Sequence, residues 1–115
     1  MNEKIYFPLL DNKGENSEIS PHFGHAPYFG LYDTGSRNLK ITNNNLEHHD
    51  EQRSPVDQIM ETASPTMVYT QGIGGRAIGL FREKGVAVKT GVYLTVKDVV
   101  ANLDKLSDAA NACQH

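Results

Sequence analysis

The sequence contains one cysteine, Cys113, among its 115 residues. A single thiol excludes an internal disulfide and any all-cysteine cage for a metal–sulfur cluster within one chain. Long apolar runs are also missing, because no stretch reaches the roughly 18 apolar residues that a membrane-spanning helix needs. The apolar run at 5–10 is too short for the apolar region of a secretory signal peptide. We therefore expect a cytoplasmic protein with no membrane partner.

Positive charge is scarce as well. Eleven Lys and Arg stand against fourteen Asp and Glu, which gives a formal net charge of −3 and a pI near 5.9. Nucleic-acid-binding domains usually carry a basic patch, so nucleic acid is not an expected partner. A chain of this length buries roughly two thirds of its unfolded surface, enough for one core. We expect one domain over 1–106 and a frayed polar tail over 107–115.

The hydrophobic pattern predicts five strands and three helices. The strands are expected at 4–10, 28–33, 38–42, 66–70 and 86–90. The helices are expected from Ser54 to Ala63, from the glycine turn after Gln71 to Gly85, and from Thr95 to Leu106. Ser54 with Asp57, and Thr95 with Asp98, have the spacing of capping boxes. The turn at 34–37 joins the second and third strands as a hairpin.

This element order predicts an α/β domain of three layers, with helices on both faces of a mixed sheet. The simplest sheet has five strands and places the first strand in the centre. The antiparallel hairpin lies on one side of it. The last two strands lie on the other side. They are parallel, because a helix joins them and such strand–helix–strand connections are right-handed.

Two turn-rich segments fall at the same end of this predicted sheet. The loop 11–27 follows the first strand, and the glycine turn 71–76 follows the fourth strand. These strands are parallel neighbours, so their carboxyl ends meet where the connections diverge, and open α/β sheets bind ligands in such a crevice. A loop as long as 11–27 is usually functional or disordered. The sequence therefore predicts a binding site at this end.

His22 and His25 are the first candidate ligands in this crevice. Imidazole suits Zn, Cu and Fe, and Gly24 lets the backbone turn so that both rings point the same way. Two ligands do not complete a structural zinc site. A purely structural interpretation stays open, in which one histidine bonds the loop and Phe23 anchors the loop to the core.

Three further candidate ligands lie outside these segments. His48 and His49 occupy a charged loop that starts at the same end of the sheet. Adjacent side chains point apart, so at most one would face the crevice, and an ordinary solvated loop explains both. The third helix runs away from this end, which places Cys113 at the opposite end and argues against it as a co-ligand.

The glycine turn has the composition of an anion site. Gly72, Gly74 and Gly75 permit close approach of a ligand, the free N–H groups of a helix start bind anions, and Arg76 adds a positive charge. The turn matches neither the GxGxxG fingerprint nor the phosphate loop ending in GK[ST]. Two alternatives stay open: a tight strand-to-helix turn without a ligand, or a small-molecule, nucleotide or phosphate-binding module.

Hydrolytic chemistry has little support in the sequence. A serine in a G-x-S-x-G elbow is absent, and Cys113 lies in the tail. A two-metal site needs paired carboxylates at the ends of the central strands. Asp11 follows the first strand, but the fourth strand supplies no carboxylate. A vestigial hydrolase is therefore the weakest interpretation, and we expect a protein that is not an enzyme.

The stretch from Ser20 to Phe29, SPHFGHAPYF, with an apolar strand before it and Gly72-Ile73-Gly74 about fifty residues later, resembles the dinitrogenase iron-molybdenum cofactor biosynthesis family. This is the NifX/NafY/NifB C-terminal-like domain. The likeness extends to Gly85, Gly91 and the helix after Thr95, and covers roughly 4–106. The histidine motif is fairly specific, and the glycine turn is less so.

The resemblance implies a ribonuclease H-like fold and binding of the iron-molybdenum cofactor, its precursor or another metal–sulfur cluster, with cofactor-assembly or nitrogenase proteins as partners. It implies a carrier or escort in nitrogen fixation rather than a catalyst. Gln71 stands where many members have glycine, and no cysteine lies within the motif, so a histidine-anchored or non-covalently held cluster is implied. The implied metal ligands are His22 and His25. The implied cluster-binding residues are Phe23, Gly24, Gly72, Gly74, Gly75 and Arg76.

Overall fold

A computed structural model describes residues 3–46 and 54–109. Six strands and three α-helices follow one another in these ranges. The strands are β1 (Lys4–Leu9), β2 (Tyr28–Asp33), β3 (Asn38–Asn43), β4 (Met67–Tyr69), β5 (Ala87–Thr90) and β6 (Ser107–Asp108). The helices are α1 (Pro55–Thr62), α2 (Gly75–Glu83) and α3 (Val96–Ala101), with short 3-10 turns at Gly14–Asn16 and Leu103–Lys105. None of the helices in the described ranges has the length and apolar character that crossing a membrane requires.

The strands form one mixed sheet in the order β3-β2-β1-β4-β5-β6. β1 pairs antiparallel with β2 and parallel with β4, and β4 pairs parallel with β5. The predicted central position of the first strand is therefore confirmed. So is the predicted arrangement of the antiparallel hairpin and the parallel pair on its two sides.

The prediction of five strands is wrong, because β6 adds a sixth at the edge beside β5. Thr90 pairs with Ser107 and Lys89 with Asp108 in antiparallel register. The Lys89 ammonium lies 2.9 Å from the Asp108 carboxylate, and Ala109 is buried. The start of the segment predicted to fray is thus part of the sheet. Residues 110–115, with Cys113, lie outside the described part of the chain.

Helices cover both faces of the sheet. Ile5, Phe7 and Leu9 of β1 pack on one face against Val96 and Val99 of α3. On the other face the core contains Tyr6 and residues of α1 and α2, among them Val56, Ile59, Ile78 and Phe81. Alternate residues of β1 thus enter two separate cores, as expected for a central strand. The three-layer α/β architecture is confirmed, and the ribonuclease H-like description stays a prediction.

Local side-chain hydrogen bonds account for where α1 and α3 begin and where α3 ends. Ser54 and Asp57 form the predicted capping box at α1. At α3 the Thr95 side chain accepts from the Asp98 N–H, but the helix ends at Ala101 and not at Leu106. The Asn102 side-chain amide donates to the Asp98 carbonyl at 2.8 Å, and the Asn102 backbone leaves the helical region. This local bond competes with continuation of the helix.

Candidate functional site

An open cleft of about 770 Å³ lies where the connections after β1 and β4 diverge. It is lined by three chain segments, two of which are the predicted histidine loop and glycine turn. The lining residues are His22, Phe23, Gly24, His25, Ser54, Pro55, Val56, Gly72, Ile73, Gly74, Arg76, Ala77 and Leu80. Seven of the eight predicted site residues therefore share one cleft, and the eighth, Gly75, opens α2 beside it without lining it.

The two loops are held together by direct backbone contact. The Phe23 N–H donates to the Gly72 carbonyl at 2.9 Å. A Cβ atom at Gly72 would overlap the Pro21 carbonyl oxygen, at a separation far below the 3.0 Å that real Cβ atoms keep. Gly72 is therefore required by the approach of the histidine loop, and not by an unusual φ angle.

In each loop a buried hydroxyl bonds the backbone of the predicted site residue two positions later. The Ser20 hydroxyl donates to the His22 carbonyl and accepts from the His22 N–H, at 3.1 and 3.2 Å. The Thr70 hydroxyl makes the same pair of bonds with the carbonyl and N–H of Gly72, at 3.2 and 3.3 Å. Ser20 is 3% exposed and Thr70 is 1% exposed. The same arrangement thus fixes the backbone at His22 in one loop and at Gly72 in the other.

Phe23 connects the cleft to the core. Its ring is 5% exposed and lies 5.3 Å from the ring of Phe29 and 5.9 Å from that of Phe81, in an edge contact with the latter. The structural role predicted for Phe23 is therefore present, and the same residue forms part of the cleft wall. Anchoring the loop at this point leaves its two histidines at the surface.

His22 and His25 are both exposed at the mouth of the cleft. Within 3–46 and 54–109, no group of three or more His, Cys, Asp or Glu side chains could hold a metal ion. The two imidazoles can therefore contribute ligands but cannot complete a coordination sphere with these residues. His48 and His49 lie outside the described residues, so their predicted positions stay predictions.

The charge around the cleft favours an anion. In the part of the chain that the structure describes, no Asp or Glu lines the cleft, and Arg76 is exposed without an ion-pair partner. The α2 cap, Gly74, has no side chain to bond the first N–H groups of that helix. Those N–H groups and the helix dipole attract negative charge.

Sequence reasoning missed the third wall of the cleft. Ser54, Pro55 and Val56 bring the start of α1 to the same opening as the start of α2. The capping residues of α1 were recognisable in the sequence, and the loop that precedes them was predicted to start at the cleft end of the sheet. The missing step was to combine the two, which would have put a second helix N-terminus beside the glycine turn.

Comparisons with known proteins identify the family and the fold of the chain. A family model described as dinitrogenase iron-molybdenum cofactor matches residues 4–106. The crystal structure of PH0822 has 30% sequence identity to this chain and a TM-score of 0.73, with 94% of each chain covered. No curated protein matches the chain.

Two more distant solved structures share the fold. A candidate NifB protein from Thermotoga, assigned to the DUF35 family, is 22% identical with a TM-score of 0.75 and 94% of each chain covered. The apo form of the orange protein from Desulfovibrio gigas is 18% identical with a TM-score of 0.78, covering 94% of this chain and 93% of the other. With the family model spanning nearly all of the described residues, the chain belongs to the dinitrogenase iron-molybdenum cofactor family.

Proposed function

We propose that this protein binds the iron-molybdenum cofactor, its precursor or a related metal–sulfur cluster in the cleft, and carries it without catalysis. The observation that supports this most is the meeting of two imidazoles, Arg76 and an uncapped helix start in one open cleft. Membership of a family described by that cofactor supplies the class of cargo.

The side chains present suit a cluster that arrives with most of its ligands. His22 and His25 can each offer one nitrogen to a metal at the cluster edge. Arg76 and the first N–H groups of α2 stabilise the negative charge of the sulfides. Phe23 and Ile73 add apolar contact area. A site with only two protein ligands releases its cargo more readily than a closed cage, as a carrier must.

The same features favour transport over catalysis. The cleft-lining residues in the described ranges include no carboxylate, and the two imidazoles, which could otherwise act as acid or base, are assigned here to the metal. An open mouth leaves the bound cluster accessible to the protein that supplies it or receives it. We infer that the partners are cofactor-assembly or nitrogenase proteins, the class of protein in which such a cluster is made and used.

Anaerobic loading tests this proposal. The purified protein is incubated without air with isolated iron-molybdenum cofactor, or with iron, sulfide and molybdate, and desalted. We expect a visible absorption band and bound metal. His22→Ala and Arg76→Gln should each lower the bound metal severalfold, whereas Lys97→Gln, which removes an exposed charge on α3, should not. Absence of bound metal in the wild type under every loading condition would rule the proposal out.

A phosphate or nucleotide is the second candidate, because Arg76 and the uncapped α2 start form a general anion site. In a thermal-shift assay, inorganic phosphate or ATP should then raise the melting temperature, and Arg76→Gln should abolish the rise. The His22→Ala variant distinguishes the two candidate ligands. His22→Ala weakens cluster loading but leaves a phosphate site unchanged.

A further inference from the structure

A second cavity, of about 450 Å³, lies on the α1/α2 face of the sheet, displaced towards the edge strand β3. Its floor is a row of three residues that the strand register places side by side. Tyr6 of β1 pairs with Leu31 of β2, and Leu31 pairs with Lys40 of β3. Ala63, which follows α1, and Leu46, which follows β3, also line it.

Tyr6 is the unusual residue in this groove. Its side chain is 7% exposed, and its ring stacks on Phe29 with centroids 4.9 Å apart. Within residues 3–46 and 54–109 its hydroxyl forms no hydrogen bond, and the hydroxyl is not fully enclosed, so it is accessible from the groove that Tyr6 lines. Burial also raises the pKa of Tyr6, so the hydroxyl stays protonated and can donate.

The other end of the row carries a charge. Lys40 is exposed and has no ion-pair partner in the described ranges. Two steps between neighbouring strands separate β1 from β3 by roughly 10 Å. Leu31 lies between Tyr6 and Lys40 in the strand register, and Phe29, Leu46 and Ala63 add apolar contacts. The groove thus has an apolar surface with a donor at its buried end and a cation at its open end. Its remaining lining residues are polar and uncharged: Thr42, Asn43, Asn45, Gln58 and Thr62.

We propose that this groove binds a small amphipathic carboxylate, with a neutral acceptor oxygen at Tyr6, an apolar body on Leu31 and the carboxylate at Lys40. The orientation follows from desolvation. A carboxylate at the buried end would lose its hydration without gaining a counterion, which costs more than burying a carbonyl or ether oxygen there. This site is separate from the cleft and does not depend on the cargo proposed for it.

Three matched compounds test the proposal in solution. 4-Acetylbenzoate has a carbonyl at one end and a carboxylate at the other, 4-isopropylbenzoate lacks the carbonyl, and 4-methylacetophenone lacks the carboxylate. Binding to the intact protein is followed by shifts of backbone amide signals in NMR titrations. We expect 4-acetylbenzoate to bind most tightly and to shift signals of Leu31 and Ala63.

Variants assign each end of the ligand. Tyr6→Phe should weaken 4-acetylbenzoate by roughly three- to tenfold, the range of one hydrogen bond, and leave 4-isopropylbenzoate unchanged. Lys40→Gln should weaken both acids by roughly two- to fivefold and leave the neutral ketone unchanged. Tyr32→Phe, a buried tyrosine of β2 on the opposite face, is the control. The proposal is overturned if 4-acetylbenzoate does not bind at millimolar concentration, or if Tyr6→Phe weakens both acids equally.

Discussion

The contact between the two cleft loops can be tested at Gly72. In Gly72→Ala, the new Cβ would overlap the Pro21 carbonyl oxygen, which is backbone and cannot rotate away. The loops must then separate, which strains or breaks the hydrogen bond from the Phe23 N–H to the Gly72 carbonyl. Overpacking costs about 1–3 kcal/mol, and loss of one hydrogen bond costs about 0.5–1.5 kcal/mol. We expect the free energy of unfolding to fall by about 2–4 kcal/mol.

Urea unfolding measures this change, with Gly79→Ala as the matched control. Gly79 lies inside α2 with no atom near the position of an added Cβ, so alanine there should stabilise the protein by about 0.5–1 kcal/mol. Glycine-to-alanine substitution should thus change stability in opposite directions at two glycines seven positions apart. A Gly72→Ala variant within about 0.5 kcal/mol of the wild type would refute the close approach of the loops.

Three further predictions concern hydroxyls and charges. Thr70→Val removes the brace on Gly72 with little change of shape, and should lower the free energy of unfolding by about 1–2 kcal/mol in urea. Because burial raises the pKa of Tyr6, its contribution to stability is present below the ordinary tyrosine pKa and is lost at higher pH. Tyr6→Phe should therefore lose less stability than the wild type on going to alkaline pH. A hydrogen bond from Lys84, with help from Ser54, lowers the pKa of Asp57, so that stability is present above the ordinary aspartate pKa and lost as pH falls through the lowered value. The free energy of unfolding should therefore fall less steeply with decreasing pH in Asp57→Asn than in the wild type.

The sheet order could be predicted because each step depends on a strong local signal. A turn at 34–37 between two short strands indicates a hairpin, and the Ser54-Pro55 cap marks where α1 begins. Right-handed connections then leave few ways to add the parallel strands. The cleft follows from that order, since the connections after β1 and β4 leave the same end of the sheet.

The parts that could not be predicted have weak local signals. β6 consists of two exposed polar residues, and its pairing is decided by the free edge of β5. Ser20 and Thr70 are ordinary loop residues in the sequence, and their bonds become visible only with coordinates. The groove beside Tyr6 was hidden because β1 is apolar on both faces. An apolar pattern on both faces indicates that the strand is central. It does not indicate which part of the sheet beside that strand the helices leave uncovered.

In the cleft, the residues that fix its shape are different from the residues that would hold a ligand. Ser20, Thr70 and Gly72 are fixed by backbone contacts, whereas the imidazole of His22 and the guanidinium of Arg76 are exposed. Stability and loading should therefore change independently. Loss of His22 should lower cargo loading severalfold without changing stability. Gly72→Ala should lower both loading and stability, although both imidazoles and Arg76 are still present. A His22→Ala variant that is strongly destabilised would instead place His22 in the framework of the loop, and the cluster would then need a different anchor.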